Sequence, residues 1–377
     1  MQRYVYDLTE DGPDTAASLG DKGAGLAEMT RMGLPVPPGF TVTTEACRVF
    51  LATGEPPVEL AGQMAENLAV LEQRVGKRLG QVNNPLLLSV RPGAGSSTPG
   101  GMETVLDVGL NDLSVLGLGV APGNERFAWD SYRRLVRMFG STVMGVDDSL
   151  FEEVILRIER HHAVADEGRL DAVDLIRLVE TFKDLIAERT GGEFPQDPAE
   201  QLRLAVVAAF ASWNGERARL HRRRGHLLDP GIAVSVQSMV FGNLGPDSGS
   251  GVAFTRDPAT GRRGVYGRYL PNAQGEDVVD GIRDTVPLGR LAELAPGAYA
   301  RLHDCMERLE DRYDDRCDIE FTVERGTLWM LQTDVGKRRP QGASAPLTSP
   351  STEASASAQE GRSSEPAGRK PPPTIGR

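Results

Sequence analysis

Asp318-Ile319-Glu320-Phe321-Thr322-Val323-Glu324-Arg325-Gly326-Thr327-Leu328-Trp329-Met330-Leu331-Gln332-Thr333 alternates polar and apolar residues on both sides of a glycine. Period-two alternation marks half-buried strands, and Gly326 can take the positive φ of a tight turn, so the segment predicts a β-hairpin. Its register is argued from its faces. A three-residue loop, Glu324-Arg325-Gly326, sets Val323 opposite Thr327, Asp318 opposite Gln332 and Glu320 opposite Met330. Ile319, Phe321, Val323, Trp329 and Leu331 then share an apolar face. A two-residue loop shifts the pairing by one and sets Asp318 and Glu320 beside Trp329 and Leu331, mixing polar with apolar, so the longer loop is favoured. Asp318, Glu320 and Gln332 emerge on one polar face. Hard oxygen ligands of this kind suit Mg²⁺ shared with phosphate oxygens. A surface strand pair facing water has the same pattern.

A phosphate partner needs cations and free backbone N–H groups elsewhere in the chain. Leu19-Gly20-Asp21-Lys22-Gly23-Ala24-Gly25 is a glycine-rich turn leading into a helical pattern over 26–32. Lys22 thus sits at a helix start, where unpaired amides and the helix dipole favour anions. The buried-strand pattern Leu86-Leu87-Leu88-Ser89-Val90 delivers Arg91 to the head of a loop rich in glycine and hydroxyls. An arginine leaving a core can present its fork to phosphate, or close a structural ion pair.

The rest of the chain divides by period. Tyr4–Leu8 and Phe40–Thr43 read as short strands around the first helix. From about 124 to 225 the apolar spacing is helical, with Phe127, Tyr132, Leu135 and Phe139 on one stripe. From 231 the period returns to two, in Ile232–Val240 and Gly251–Thr255, with further strands near 264–270 and 318–334. In the last 40 residues, 338–377, 24 are Pro, Ser, Gly or Ala and none is aromatic, so the segment cannot bury enough apolar surface to offset its ordering entropy. The expectation is an α+β chain: an N-terminal α/β lobe over 1–120 with a phosphate-covering loop, a helical insertion over 121–228, a C-terminal lobe over 229–337 and a disordered tail over 338–377.

Composition excludes other classes. The net charge of −11 opposes a general nucleic-acid binder, which needs a basic face. No run of 18 apolar residues occurs and the first residues lack an apolar leader core, which points to no membrane span and a cytoplasmic protein. Cys47, Cys305 and Cys317 are too few and scattered for a disulfide framework or zinc knuckle.

Taken together, several separated motifs resemble the N-terminal nucleotide-binding domain of the pyruvate, phosphate dikinase family over roughly residues 2–338. They are Gly20-Asp21-Lys22-Gly23-Ala24 with Leu26-Ala27-Glu28-Met29; Gly33-Leu34-Pro35-Val36-Pro37-Pro38-Gly39-Phe40; Arg126-Phe127-Ala128-Trp129-Asp130-Ser131-Tyr132-Arg133-Arg134; Gln237-Ser238-Met239-Val240-Phe241-Gly242-Asn243; Asn272-Ala273-Gln274-Gly275-Glu276-Asp277; and Asp318-Ile319-Glu320-Phe321-Thr322. The resemblance implies an ATP-grasp-like fold with ATP and Mg²⁺ between two lobes. Lys22 and Arg91 would hold phosphates and serve catalysis. Gln237, Met239 and Val240 would line the adenine pocket, and Glu276 would lie near the nucleotide. Asp318, Glu320 and Gln332 would hold the metal.

The family passes a phosphoryl group from ATP to a histidine on a swivelling domain. None of His161, His162, His221, His226 and His303 lies in the glycine- and threonine-rich setting of that acceptor. The implied partner is a separate phosphohistidine-domain protein. Three positions depart from the family pattern. Asp334 stands where the family has an arginine that grips the terminal phosphate, and Gly95 and Gly101 replace an arginine and a methionine of the covering loop. The arginine-to-aspartate exchange alone is expected to lower a phosphotransfer rate by about 10²–10³. Two readings follow: an ATP-dependent phosphotransferase module, and a non-catalytic nucleotide-binding remnant of a dikinase.

Overall fold

The structure, a computed structural model, describes residues 2–10, 16–93, 104–120, 123–162, 170–214, 231–280 and 284–336. Gly95, Gly101, nearly all of the covering loop and the 338–377 tail lie outside them.

Strands β1 (Val5–Asp7), β2 (Gly39–Val42), β3 (Leu88–Gly93), β4 (Val105–Val108) and β5 (Ala233–Ser238) form one sheet in the order β1-β2-β5-β3-β4, with every pairing antiparallel. Strands β6 (Gly249–Arg256), β7 (Arg263–Pro271), β8 (Val286–Pro287), β9 (Cys317–Glu324) and β10 (Thr327–Val335) form a second, in the order β10-β9-β6-β7-β8, also antiparallel. With the helices between them this is an α+β architecture.

The alternating strand over 233–238 was expected to open the C-terminal lobe. It instead occupies the centre of the first sheet, between β2 and β3, and all six of its residues are buried. The strand therefore pairs with the first sheet and not with the second. Burial on both faces and both edges explains the placement, since Ala233-Val234-Ser235-Val236 carries only small or β-branched side chains.

Helix α1 (Ala16–Arg31) breaks at Gly20, whose φ of +67° and ψ of 165° interrupt it. A Cβ there would lie 2.9 Å from the Gly93 carbonyl oxygen, so only glycine allows α1 to touch β3 at this point. Helices α2 (Thr44–Thr53), α3 (Leu60–Val75) and α4 (Ser114–Val120) complete the first part. The expected helical stretch is α5 (Glu125–Thr142), α6 (Asp148–His162), α7 (Ala172–Thr190) and α8 (Pro198–Ser212). Asn124 caps α5, accepting from the Phe127 amide at 3.0 Å, and Asp171 caps α7 at the Asp174 amide, 2.9 Å. These helices share one core with the first sheet: Phe127, Phe139, Phe151 and Phe182 join Phe40, Val90 and Val236 in it. They are thus part of the first lobe's interior and not a separate globule.

A second core lies under β9 and β10. It combines Ile319, Phe321 and Val323 with Leu302 and Leu309 of a later helix, α10 (Pro296–Tyr313), which follows the short α9 (Gly275–Asp280) and a short helical turn over 288–294. Leu26 and Met29 of α1 belong to this second core. Helix α1 therefore lies against β5 of one sheet and β10 of the other, with Lys22 near its break.

The hairpin forms, with a different register from the expected one. Its loop has two residues, Arg325 and Gly326, both at positive φ (47° and 75°), so Thr327 pairs with Glu324 and Leu328 with Val323. This is the two-residue connection whose twist matches that of the flanking strands. The polar-with-apolar mixing does not follow, because the pairing shifts between Met330 and Gln332 and leaves Leu331 as the extra residue of a bulge. Leu328 and Met330, not Trp329 and Leu331, complete the buried face. Beyond the bulge Gln332 opposes Glu320 and Asp334 opposes Asp318.

Candidate functional site

Two backbone irregularities aim the charged side chains. The break at Gly20 starts a fresh helical segment just before Lys22, and a Cβ built on Gly93 would lie 3.6 Å from the Lys22 Cβ. The bulge at Leu331 frees a carbonyl, and Arg91 from the first sheet reaches across to donate to it through Nη1 at 3.3 Å. The same guanidinium donates through Nη2 to Glu320 Oε2 of the second sheet at 3.1 Å. The backbone seals the junction next to it, where the Met330 amide donates to the Pro35 carbonyl at 2.7 Å.

Lys22 joins this group electrostatically. Burial and the adjacent Arg91 pull its amine down to about 7, against the opposing pull of Glu320 and Asp334. It makes no hydrogen bond or ion pair with any described residue. Lys22, Arg91, Glu320 and Asp334 thus converge from α1, β3, β9 and β10, so the cations of the front half meet the acidic strand pair near the end of the fold.

The remaining hairpin residues divide. Gln332 lies beside Glu320 in the register and donates through Nε2 to Asp334 Oδ2 at 2.9 Å, which leaves its amide oxygen for another partner. Asp318 is gripped by Arg316, whose Nε and Nη2 both sit 2.6 Å from the carboxylate oxygens. The Arg316 guanidinium also lies 5.2 Å from the Phe254 ring centroid, which holds it in place. No group of three His, Cys, Asp or Glu among the described residues could cage a cation by itself. The donor chemistry fits Mg²⁺ all the same, since that ion keeps several waters and is held by one or two carboxylates plus phosphate oxygens. Glu320 offers one carboxylate and Gln332 a neutral amide oxygen beside it.

Of the four residues linked to the adenine side, Gln237 lies two residues along β5 from Ser235, which pairs with Arg91. Gln237 is buried on β5 and donates through Nε2 to the Pro37 carbonyl at 3.0 Å. The Met239 amide donates to the Leu87 carbonyl at 2.8 Å, and Val240 is buried beyond it. Glu276, on α9, is ion-paired to Arg134 of α5 and not to Lys22 or Arg91.

That pairing belongs to a second charged cluster. Arg134 also reaches Asp277 at 3.0 Å and Asp130 at 3.1 Å, and Asp130 holds Arg133 at 2.9 Å. Arg134 and its neighbours keep the Asp130 carboxyl well below the usual carboxylate range despite its burial. Asp107 sits in the same field at a φ of +60°, with Oδ1 buried and unpartnered. Burial, reinforced by Glu276, pushes its carboxyl far up, against the pull of Arg134. The motif over 126–134 assigns no role to Arg134. The Asp130/Arg134 spacing of four was the available signal, while nothing local marked Asp107 or Arg316.

A family profile described as pyruvate phosphate dikinase, AMP/ATP-binding domain, matches residues 16–73 and 53–286. The chain belongs to this family. It is 46% identical over 346 residues to the pyruvate, phosphate dikinase of Clostridium symbiosum, covering 91% of this chain and 40% of that protein. The chloroplastic pyruvate, phosphate dikinase 1 of Arabidopsis thaliana is 48% identical over 327 residues, covering 86% of this chain and 34% of that protein. The dikinase of Rhizobium meliloti (strain 1021) is 46% identical over 361 residues, again 91% of this chain and 40% of the relative. The chain thus spans well under half the length of these dikinases and matches their N-terminal, nucleotide-binding part. None of its described helices is long and apolar enough to cross a membrane.

Proposed function

We propose that this chain is an ATP-grasp-like module that binds Mg·ATP at the junction of its two sheets and transfers a phosphoryl group to a histidine of a separate protein. The convergence of Lys22 and Arg91 on Glu320 carries the reading: a lysine at a helix start with no partner among the described residues, an arginine fork and a half-exposed carboxylate lie within one electrostatic neighbourhood. Lys22 and Arg91 hold phosphate oxygens, and a bound triphosphate restores the positive charge on Lys22. Glu320 and Gln332 hold the metal, which when bound neutralises phosphate charge. Asp318 acts through Arg316 as an outer support. In the transfer the imidazole nitrogen forms a P–N bond as the P–O bond to the departing nucleotide breaks, its electron pair leaving on the nucleotide's phosphate oxygen. Lys22 and Arg91 stabilise the charge spread over the oxygens in flight. The adenine lies along Met239 and Val240, with Gln237 bracing the strand from behind and Glu276 further out at Arg134. The chain works in the cytoplasm and touches neither nucleic acid nor membrane.

A second reading, nucleotide binding without turnover, is favoured by one observation. Asp334 faces Asp318 and lies close enough to Lys22 to act on its charge, so an acid occupies the place of a phosphate-gripping cation. Transfer of label from isotopic ATP to a supplied phosphohistidine-domain protein decides between them. Label in the wild-type reaction supports the transferase. Absence of label that is restored in Asp334→Arg, by about 10² or more over background, establishes the binding-only reading.

A further inference from the structure

Arg91 and Glu320 are proposed for opposite ligands, yet the structure joins them to each other. Arg91 Nη2 donates to Glu320 Oε2 at 3.1 Å, and its other partner among the described residues is the Leu331 carbonyl at 3.3 Å. The arginine side chain is 14% exposed and the glutamate 39%. Phosphate drawing the guanidinium toward itself weakens the Nη2 contact with the carboxylate. A cation at Glu320 must sit beside a guanidinium of the same sign. Each ligand therefore competes electrostatically with the one Nη2–Oε2 contact that the other ligand also weakens.

We propose that the Arg91–Glu320 pair is an interlock that couples divalent-cation binding to triphosphate binding, so that the site discriminates against ATP that lacks its metal. The inference rests on the Mg·ATP reading above and adds its regulation. A cation at Glu320 releases Arg91 toward phosphate, and phosphate at Arg91 releases Glu320 toward the cation. Linkage makes the two effects equal, so metal strengthens ATP by the factor by which ATP strengthens metal. This coupling comes from the protein and is additional to direct contact between cation and phosphate.

The test is a double-mutant cycle on metal-free ATP binding, read by calorimetry in excess chelator. Glu320→Gln keeps the shape and removes the charge that holds Arg91. The interlock predicts about 5–10-fold tighter metal-free ATP in Glu320→Gln than in wild type, with the gain falling below about 2-fold when Arg91→Met is already present. Simple repulsion between Glu320 and phosphate predicts the same gain in both backgrounds, and that result overturns the proposal. No gain in either background overturns it as well. A second measurement uses Mn²⁺ alone, followed by electron paramagnetic resonance. Arg91→Met is expected to bind Mn²⁺ about 5-fold tighter than wild type, because Glu320 no longer has a competing partner. Unchanged or weaker Mn²⁺ binding counts against the interlock, and unchanged thermal melting of each variant shows that the fold is intact. Failure of wild type to bind Mg·ATP removes the functional reading and the interlock together. Binding of Mg·ATP without the background-dependent gain removes the interlock alone.

Discussion

The molecule holds two charged clusters built on different plans. Around Arg134, carboxylates from α5 and α9 surround an arginine 14% exposed, with Asp130 and Asp277 at 8% and 10%. Around Arg91, an equally covered arginine meets one carboxylate that is 39% exposed and one backbone carbonyl, while Lys22 beside it has no partner among the described residues. In the first cluster the arginine is neutralised from within the chain, although Asp107 Oδ1 beside it has no partner among the described residues. The second keeps cationic capacity unspent, as a site for an anion must. Charge count alone does not distinguish a strut from a binding site. The distinction lies in whether the fold has already supplied the counter-ions.

The widest separation between the clusters is expected on removing their arginines. Arg134→Met strands several partly buried carboxylates and is expected to cost about 3–5 kcal/mol in denaturant unfolding. Arg91→Met breaks a half-exposed pair and is expected to cost at most about 1 kcal/mol, while weakening Mg·ATP about 10–100-fold in calorimetry. Equal stability losses would erase the contrast. Lys22→Met sharpens it further, because it is expected to lower ATP affinity about 10-fold with no loss of thermal stability. A lysine amine held near 7 prefers its neutral form when folded, so between about pH 7 and 10.5 the unfolded chain binds more protons and stability rises with pH.

The same shift gives a smaller, calorimetric effect. ATP favours charged Lys22, so binding at pH 8 is expected to take up about 0.5–1 proton, read from buffers of different ionisation enthalpy. Affinity then falls as pH rises through about 7, and Lys22→Met abolishes the uptake. The smallest effect belongs to the other cluster. Burial raises the Asp107 carboxyl, so its contribution is fully present below the unfolded carboxylate range and is lost as pH climbs through the raised folded value. Asp107→Asn keeps the shape, tolerates the positive φ and removes that cost, and is expected to raise neutral-pH stability by about 1 kcal/mol in thermal melts.

Legibility followed the range of the forces involved. The hairpin was readable because alternation is a local consequence of burying one face, and the helical stretch for the same reason at a period of 3.6. The bulge at Leu331 was not, because Trp329 and Leu331 look as apolar as Leu328 and Met330; only the pairing with β9 and the contact with Pro35 choose between them. Arg91 and Lys22 were marked by their glycine-rich settings, whereas their meeting at Glu320 depended on a sheet order no single strand declares. Asp318 shows the converse. Its place on the polar strip was legible, but Arg316, two residues away, had already claimed it.

The central position of β5 has a consequence for how this chain is made. The two strands it joins, β2 and β3, are separated from it by roughly 190 and 140 residues of sequence. During synthesis those strands must wait, their inner edges unmatched, until the ribosome has delivered everything up to Ser238. Any truncation upstream of Ala233 leaves a split sheet with two adhesive rims, and such fragments are expected to aggregate.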